Sequence, residues 1–305
     1  MVITAILVMG CVQASPRILK IGLVAPFEGR YREIGGDVIP AARLAIREWA
    51  TRSQQAGIAI ELVAYDDAGD PSQAIDQARR LASDPDVQVV IGHWLDQTTL
   101  AALPIYEEAG LPLITFMEGE PESASGIYNL APSRDRVWTA AETWASQQDQ
   151  AGTATPVGCA DLAARADELV TERGVAADVP ILIGSLCGLN QFYKLTEGRA
   201  DGVYFMSGFA QPADMLGTHW TPEQVTQFVA GYSEGSLGNP PGLLAAVAYE
   251  ATWVAIEQVM ASQGIATGQT PASGLRFDTT GRRVDAPIYL YRWMDGQRSL
   301  IAAIQ

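Results

Sequence analysis

Aromatic and carboxylate side chains follow three apolar segments in the first half of the chain, at the point where each segment ends. Phe27 follows "IGLVA", Trp94, Asp96 and Thr98 follow "VVIG", and Glu118 follows "LITF". An aromatic ring can stack on a ligand or hold a cation, and a carboxylate can pair with a cation. These side chains would suit a binding cleft for a small neutral or cationic solute.

Each of these residues also has an ordinary structural interpretation. Asp96 stands just before an apolar helical pattern, so it could cap that helix. Trp94 could fill space in the core or at a hinge. Glu118 could be a solvated charge in a loop. The sequence leaves these alternatives open.

The sequence offers little for catalysis or for cofactor binding. Its two histidines, His93 and His219, have no partner at metal-binding spacing. There is no GxSxG nucleophile elbow and no glycine-rich phosphate loop. His93 follows an apolar segment and is interpreted as a hydrogen-bonded structural residue. We therefore expect no enzyme activity, no metal site and no cofactor.

The elements that must position the candidate residues alternate between strands and helices from Leu19 onward. The predicted strands are "IGLVA", "IELVAYD", "VQVVIG" and "PLITF", and each is followed by a polar loop. Between them, "DPSQAIDQARRLAS" predicts a helix capped by Asp70, with Pro71 in the first position. This alternation is typical of an α/β fold with a parallel sheet, whose ligands bind beyond the carboxyl ends of the strands.

Composition limits the class of partner. The 305 residues are 48% hydrophobic, which is enough for two lobes of ordinary size. Twenty Lys and Arg against 35 Asp and Glu give a formal charge of −15. This balance argues against nucleic acid and against an anionic membrane surface as partners, because both require clustered cations.

The amino terminus is apolar and uncharged from Val2 to Val12, which is typical of the core of a secretory signal. "VMGC" would make Cys11 a lipidated first residue, and "VQA" would suit cleavage before Ser15. A buried strand of an intracellular protein is the remaining interpretation. The first two alternatives predict a protein in the periplasm or on the cell surface, with membrane contact only through a possible lipid anchor.

Two further cysteines, Cys159 and Cys187, lie 28 residues apart. No CxxC or Cys/His zinc spacing is present. In an oxidising compartment such a pair can form a disulfide. Two buried free thiols are the alternative.

Eight segments, in order, resemble type I periplasmic solute-binding proteins of the branched-chain amino-acid (Leu/Ile/Val-binding) family. They are "KIGLVAPFEG", "VAYDDAGDPSQAI", "VVIGH", "AALPIYEEAGLPLIT", "NLAPSRD", "LTEGRADGVYF", "LLAAVAYEAT" and "SGLRFDTTGR". The resemblance runs from about Leu19 to Gly296. It implies a solute-binding protein that serves the permease of an ABC transporter.

The resemblance also implies two α/β lobes with parallel sheets, joined by three connections and closing over a ligand by a hinge motion. After a signal segment at 1–16, the first lobe is predicted over 17–131 plus 209–280. The second lobe is predicted over 132–208 plus 281–305. Two successive βα units of the family are missing after "RVWTAAETWA", about 60 residues at roughly 30 per unit. We therefore expect a shortened second lobe with four strands.

The residues that would hold an amino acid differ from the family pattern. Where the family has a small hydroxyl residue that helps to bind the ligand carboxylate, this chain has Asp96, which would occupy the anion site itself. The ammonium-binding Glu of the family falls near Leu186. We therefore expect a small neutral or cationic solute rather than a branched-chain amino acid. A ligand-sensor module and a degenerate homologue that no longer binds are the alternatives.

Overall fold

A computed structural model of the chain describes residues 16–52, 57–119, 126–147, 156–159, 161–172, 181–215 and 220–304. The described residues form two five-stranded sheets with helices packed against them. The predicted α/β class is confirmed.

The first sheet is parallel throughout. Its strands are β1 (Arg17–Ala25), β2 (Ile58–Asp66), β3 (Val87–Ile91), β4 (Leu113–Thr115) and β5 (Ile127–Asn129). They lie in the order β2-β1-β3-β4-β5. The four strands predicted from the sequence therefore share one sheet, and β5 extends it at one edge. All carboxyl ends of this sheet point the same way.

Three helices connect these strands: α1 (Arg32–Arg52), α2 (Pro71–Ser83) and α3 (Asp96–Ala109). The Asp70 side chain accepts hydrogen bonds from the backbone N–H groups of Ser72 and Gln73, so the predicted cap of α2 is confirmed. Helix α1 begins at Arg32. Its first turn therefore carries Glu33.

The remaining elements begin with α4 (Arg134–Ser146), β6 (Pro156–Gly158), α5 (Leu162–Glu172), β7 (Ile181–Ile183), α6 (Asn190–Leu195) and β8 (Tyr204–Ser207). Then come α7 (Pro222–Gly235), α8 (Ala245–Ser262), β9 (Ile288–Met294) and β10 (Gln297–Ile304). The second sheet has the order β10-β9-β8-β7-β6.

This second sheet differs from the prediction of a parallel sheet with four strands. Strands β6, β7 and β8 are parallel, but β9 is antiparallel to β8, and β10 is antiparallel to β9. The fifth strand arises because Asp295 and Gly296 both have positive φ, at 50° and 74°. An Asp-Gly pair in this conformation makes a tight two-residue hairpin.

Helices α7 and α8 pack on α1, beside the first sheet. The buried Asp37 of α1 ties them together: its carboxylate accepts the backbone N–H groups of Gly242 and Leu244, both at 2.7 Å, and the Tyr232 hydroxyl at 3.2 Å. Burial raises the pKa of Asp37 to about 6, although the two N–H groups act in the opposite direction.

The connections between the two sheets run close to one another. A Cβ atom added at Gly208 would lie 2.4 Å from the ring of Pro132, so these two connections are in contact. The third connection pairs with β5 through Asn129, whose N–H donates to Gly281 O at 2.7 Å and whose carbonyl accepts from Arg283 N at 2.8 Å. The residue boundaries of the two lobes stay a prediction.

Candidate ligand cavity between the sheets

A cavity of about 380 Å³ lies where the carboxyl ends of strands from both sheets meet. Its size falls in the range that small-molecule sites occupy. The lining residues that follow β3 and β4 include Trp94, Asp96, Phe116 and Glu118. Those at or after the ends of β6 and β7 include Gly158, Cys159, Ser185 and Leu186. A solute in this cavity would contact both halves of the molecule.

Asp96 binds backbone N–H groups rather than capping its own helix. Its two carboxylate oxygens accept from Glu118 N and Gly119 N, each at 3.1 Å, and Arg134 Nη2 lies 2.8 Å from Oδ2. The N-cap of α3 is Leu95, and no side chain caps that position. The capping interpretation is therefore wrong, because the carboxylate turns toward the loop after β4.

Arg134 was not among the residues predicted for the site. It begins α4 and lines the cavity, where it supplies a positive charge beside Asp96. A second arginine, Arg282, holds the same loop by donating to the carbonyl oxygens of Met117 and Gly119, at 3.1 and 2.6 Å. The carboxylates of Asp96 and Glu118, which were predicted for the site, therefore lie beside the positive charges of Arg134 and Arg282. Both arginines come from other parts of the sequence.

Glu118 joins the two halves of the cavity wall. One of its carboxylate oxygens accepts from Ser185 N at 3.3 Å, across the space between the sheets. Burial raises the pKa of Glu118, and the neighbouring negative charge of Asp96 raises it further. Glu118 is therefore not the solvated loop charge of the alternative interpretation, and it holds its proton to a higher pH than an exposed glutamate.

Trp94 is 7% exposed and stacks on Phe116, with ring centroids 3.8 Å apart and planes 14° apart. Phe116 in turn meets Phe209 edge-on at 6.0 Å. One face of the indole is therefore covered by protein, although the sequence suggested a face free for stacking. The indole Nε1 has no hydrogen-bond partner within the described structure.

Thr98 and Phe27 do not line this cavity, in contrast to the sequence-based expectation. Thr98 is fully buried and donates its hydroxyl hydrogen to Leu95 O at 2.9 Å. Phe27 packs on α1, where a Cβ atom added at Gly35 would come within 2.5 Å of its ring. Thr98 therefore holds the backbone of Leu95, which does line the cavity.

Cys159 and Cys187 form a disulfide, with Cα atoms 5.9 Å apart. That separation is typical of disulfides. Cys159 lines the cavity, so the bond fixes part of its wall to the turn that follows β7. Cys11, the predicted lipidation site, lies outside the described residues.

Further bonds cross between the halves beside the cavity. Glu33 Oε1 accepts Asn190 N at 2.8 Å, and Oε2 accepts Gln191 N at 2.7 Å. Arg30 lies 3.6 Å from Asp161. These contacts join α1 and the turn just before it to the second half of the chain.

His93 has the structural role predicted for it. Its Nδ1 lies 2.6 Å from Asp67 Oδ2 and its Nε2 lies 3.1 Å from the Tyr106 hydroxyl, all in the interior. His219 lies outside the described residues. Over the part of the chain that the structure covers, no group of three or more His, Cys, Asp or Glu side chains is arranged to hold a metal. None of the helices described is long and apolar enough to cross a membrane.

Residues 18–167 match the family described as "Periplasmic binding protein". A Leu/Ile/Val-binding protein of Citrobacter freundii is 31% identical over 130 residues, which are 41% of this chain and 35% of that protein. A leucine-, isoleucine-, valine-, threonine- and alanine-binding protein of Pseudomonas aeruginosa is 35% identical over 112 residues, 37% of this chain and 30% of that protein. The match spans about a third of the length of these relatives.

Solved structures match nearly the whole chain. A leucine-binding protein from Thermotoga maritima has a TM-score of 0.73 at 18% identity, covering 94% of this chain and 98% of that one. A solute-binding protein of an ABC transporter from R. palustris, in complex with 4-hydroxybenzoate, has a TM-score of 0.69 at 14% identity, covering 94% and 97%. At these identities the similarity shows the fold.

Proposed function

We propose that this chain, a homologue of the Leu/Ile/Val-binding proteins with the fold of type I periplasmic binding proteins, is an exported solute-binding protein. It would capture a small solute between its lobes and deliver it to the permease of an ABC importer. The observation that carries the proposal is the cavity built from strand ends of both sheets. A solute there would favour the closed arrangement, because it contacts both halves at once.

The solute we propose is not a branched-chain amino acid. A ligand carboxylate needs donors that are free, but the N–H groups of Glu118 and Gly119 and the Arg134 guanidinium already bind Asp96. Leu186 lies in the wall and offers no charge for an ammonium group. The built-in carboxylate therefore takes the place of the one that an amino acid would bring.

Of the two solute classes predicted from the sequence, neutral and cationic, the structure favours the neutral one. Asp96 is paired with Arg134, so its charge is not available to a ligand cation. The pKa of Glu118 is raised, so this side chain stays protonated to a higher pH and is a poorer partner for a ligand cation. A charged solute would lose its hydration without gaining a counter-ion.

Export belongs to the same proposal. The apolar segment that contains Cys11 would direct the protein to the periplasm or cell surface, either lipid-anchored or free. Mass spectrometry of the mature protein from its native host should show a lipid on Cys11 or a start at Ser15. An intact Met1 on the native protein would refute both forms.

A thermal-shift screen tests solute binding directly. The panel comprises amino acids, neutral amides, polyamines and small organic acids. A ligand at 100 times its dissociation constant adds about 2.7 kcal/mol to the free energy of unfolding. We expect at least one uncharged solute to raise the unfolding midpoint and leucine to leave it unchanged.

Two other results would favour the alternative functions. If no member of a broad panel stabilises the protein, the chain is a degenerate homologue that no longer binds. If a solute binds but deleting the gene leaves uptake of that labelled solute intact, the protein is a sensor module rather than an importer subunit.

A further inference from the structure

We propose that Glu118 determines which solute binds, and that one oxygen of its carboxyl group donates a hydrogen bond to an uncharged carbonyl oxygen of the solute. This inference rests on the proposed function, because it assigns the polar contact and the ligand class of the same cavity. It starts from the two oxygens of Glu118, which have different surroundings.

One oxygen of Glu118 is held by the protein and the other is not. Oε1 accepts the backbone N–H of Ser185 at 3.3 Å, from the opposite half of the cavity wall. Oε2 has no hydrogen-bond partner among the described residues, and it keeps some accessible surface, unlike the unpartnered polar atoms of the interior. Because Glu118 lines the cavity, Oε2 can contact a solute there.

The backbone opposite Glu118 leaves this oxygen uncovered. Gly184 ends the segment across the cavity with a φ of 126°, a conformation that favours glycine. A Cβ atom built at Gly184 would lie 3.6 Å from Glu118 Oε2 and 3.2 Å from the carbonyl oxygen of Cys159. A larger residue at this position would therefore cover Oε2, and glycine leaves it accessible.

The groups that face Glu118 favour the neutral acid. Burial raises the pKa of its carboxyl group, and the negative charge of Asp96 on α3 raises it further. The Ser185 N–H and the positive charges of Arg134 and Arg282 act in the opposite direction, but Arg134 is paired with Asp96 at 2.8 Å. The protonated acid has one O–H, and Oε2 is the oxygen free to carry it, because Oε1 already accepts an N–H.

A hydroxyl donor in the wall requires an acceptor on the solute. An amide carbonyl accepts this hydrogen bond without bringing a charge. A carboxylate would also accept it, but it would meet the negative charge of Asp96, and an ammonium group has no lone pair to accept with. Aliphatic side chains from Ile34, Leu189 and Leu244 line the cavity as well. The ligand class is therefore an uncharged amide with an aliphatic body.

Three probes with one aliphatic skeleton test this class: N-acetyl-leucinamide, which is uncharged, N-acetyl-leucine, an anion, and leucinamide, a cation. Each is titrated calorimetrically into the full chain at about pH 6. We expect the uncharged probe to bind about ten-fold more tightly than either charged probe. If a charged probe binds more tightly, or if none of the three binds while another solute stabilises the protein, the ligand class is wrong. Failure of every solute in a broad screen would instead overturn the proposed function.

The pH dependence of N-acetyl-leucinamide binding tests the donor. Glu118 can donate only while it holds its proton, so the affinity should be highest at low pH. Between about pH 5 and about pH 9 it should fall about ten-fold, because the ionised form loses the donor. A wild-type affinity that is independent of pH, or that rises with pH, would overturn the role of Glu118 as a donor.

Two matched variants assign the pH dependence to this residue. Glu118→Gln keeps an N–H donor and an acceptor oxygen but cannot ionise, so its affinity should stay within about three-fold of the low-pH wild type at every pH. Glu108→Gln, at an exposed residue of α3, should keep the wild-type profile. The proposal is wrong if a folded Glu118→Gln protein shows the same fall with pH as the wild type, or does not bind the probe.

Discussion

Replacing Asp96 by serine should open the cavity to ligand carboxylates. In the wild type, Asp96 accepts two backbone N–H groups and pairs with Arg134. The Asp96→Ser substitution removes the negative charge and leaves these donors free. A ligand carboxylate could then take the place of the missing side chain, as an anion does at a site of converging N–H groups.

The size of the effect follows from the charge that is removed. Two like unit charges 4 Å apart repel by about 4 kcal/mol at an effective dielectric constant near 20. The Asp96 side chain is 32% exposed, so solvent screens part of this repulsion. Half of it, about 2 kcal/mol, corresponds to roughly a 30-fold gain in affinity. The salt bridge that is lost is itself half-exposed and contributes at most about 1 kcal/mol to stability.

Calorimetric titration with leucine measures this gain. We expect no saturable binding to the wild type and measurable binding to Asp96→Ser. Asp96→Asn should gain less, because its amide still fills the space and still accepts one N–H. Adding Arg134→Ala to Asp96→Ser should reverse the gain. Tight binding of leucine to the wild type, or no gain in a folded Asp96→Ser protein, would show that Asp96 does not exclude ligand carboxylates.

Three further predictions concern stability and closure. The raised pKa of Asp37, about 6 against an ordinary 3.8, means that the folded state binds the extra proton between these pH values. The free energy of unfolding should therefore fall by about 2 kcal/mol as pH rises from 4 to 6, and urea unfolding of Asp37→Asn should lack this fall. Cys159→Ser should lower the free energy of unfolding by about 3.5 kcal/mol, the effect of opening a loop of this length, in chemical denaturation without reductant. Glu33→Gln weakens the contacts to α6, so hydrogen exchange of the Asn190 and Gln191 amides should accelerate.

Each of these has its own contradicting result. An equal pH slope in wild type and Asp37→Asn would show that other groups cause it. A Cys159→Ser protein as stable as the wild type would show that the disulfide does not restrict the unfolded chain. For the Glu33 contacts the matched control is Glu28→Gln, at an exposed residue in the loop before α1, and equal exchange rates in both variants would refute the role of Glu33.

The first sheet and part of the cavity could be predicted from the sequence because both depend on local pattern. Strands that alternate with helices fix a parallel sheet, and its loops then meet at one edge. Trp94, Asp96 and Glu118 follow strands and line the cavity for this reason. Thr98 also follows a strand, but it lies on the first turn of α3, where its hydroxyl bonds to the backbone instead.

The other contacts in and beside the cavity depend on pairs of residues that lie far apart in the chain. Arg134 meets Asp96 across 38 positions, Ser185 meets Glu118 across 67, and Glu33 meets Asn190 across 157. No local spacing in the sequence indicates such contacts. The net charge of the cavity wall could therefore not be predicted from its acidic residues alone. The antiparallel pair β9 and β10 had a local signal, the Asp-Gly turn, which the resemblance to an α/β family obscured.

The proposed function requires that a solute binds in the cavity between the two sheets, and a cavity-filling variant tests this requirement. Leu186→Trp places a large ring in the wall, whereas Leu237→Trp adds the same ring at a side chain that is 97% exposed. The measurement is the affinity of the best stabilising solute of the screen for wild type and both variants. We expect a single site of unchanged affinity in Leu237→Trp and a loss of affinity of at least 30-fold in Leu186→Trp. Equal affinity in all three folded proteins, or no binding to the wild type by any solute of the panel, would contradict this expectation.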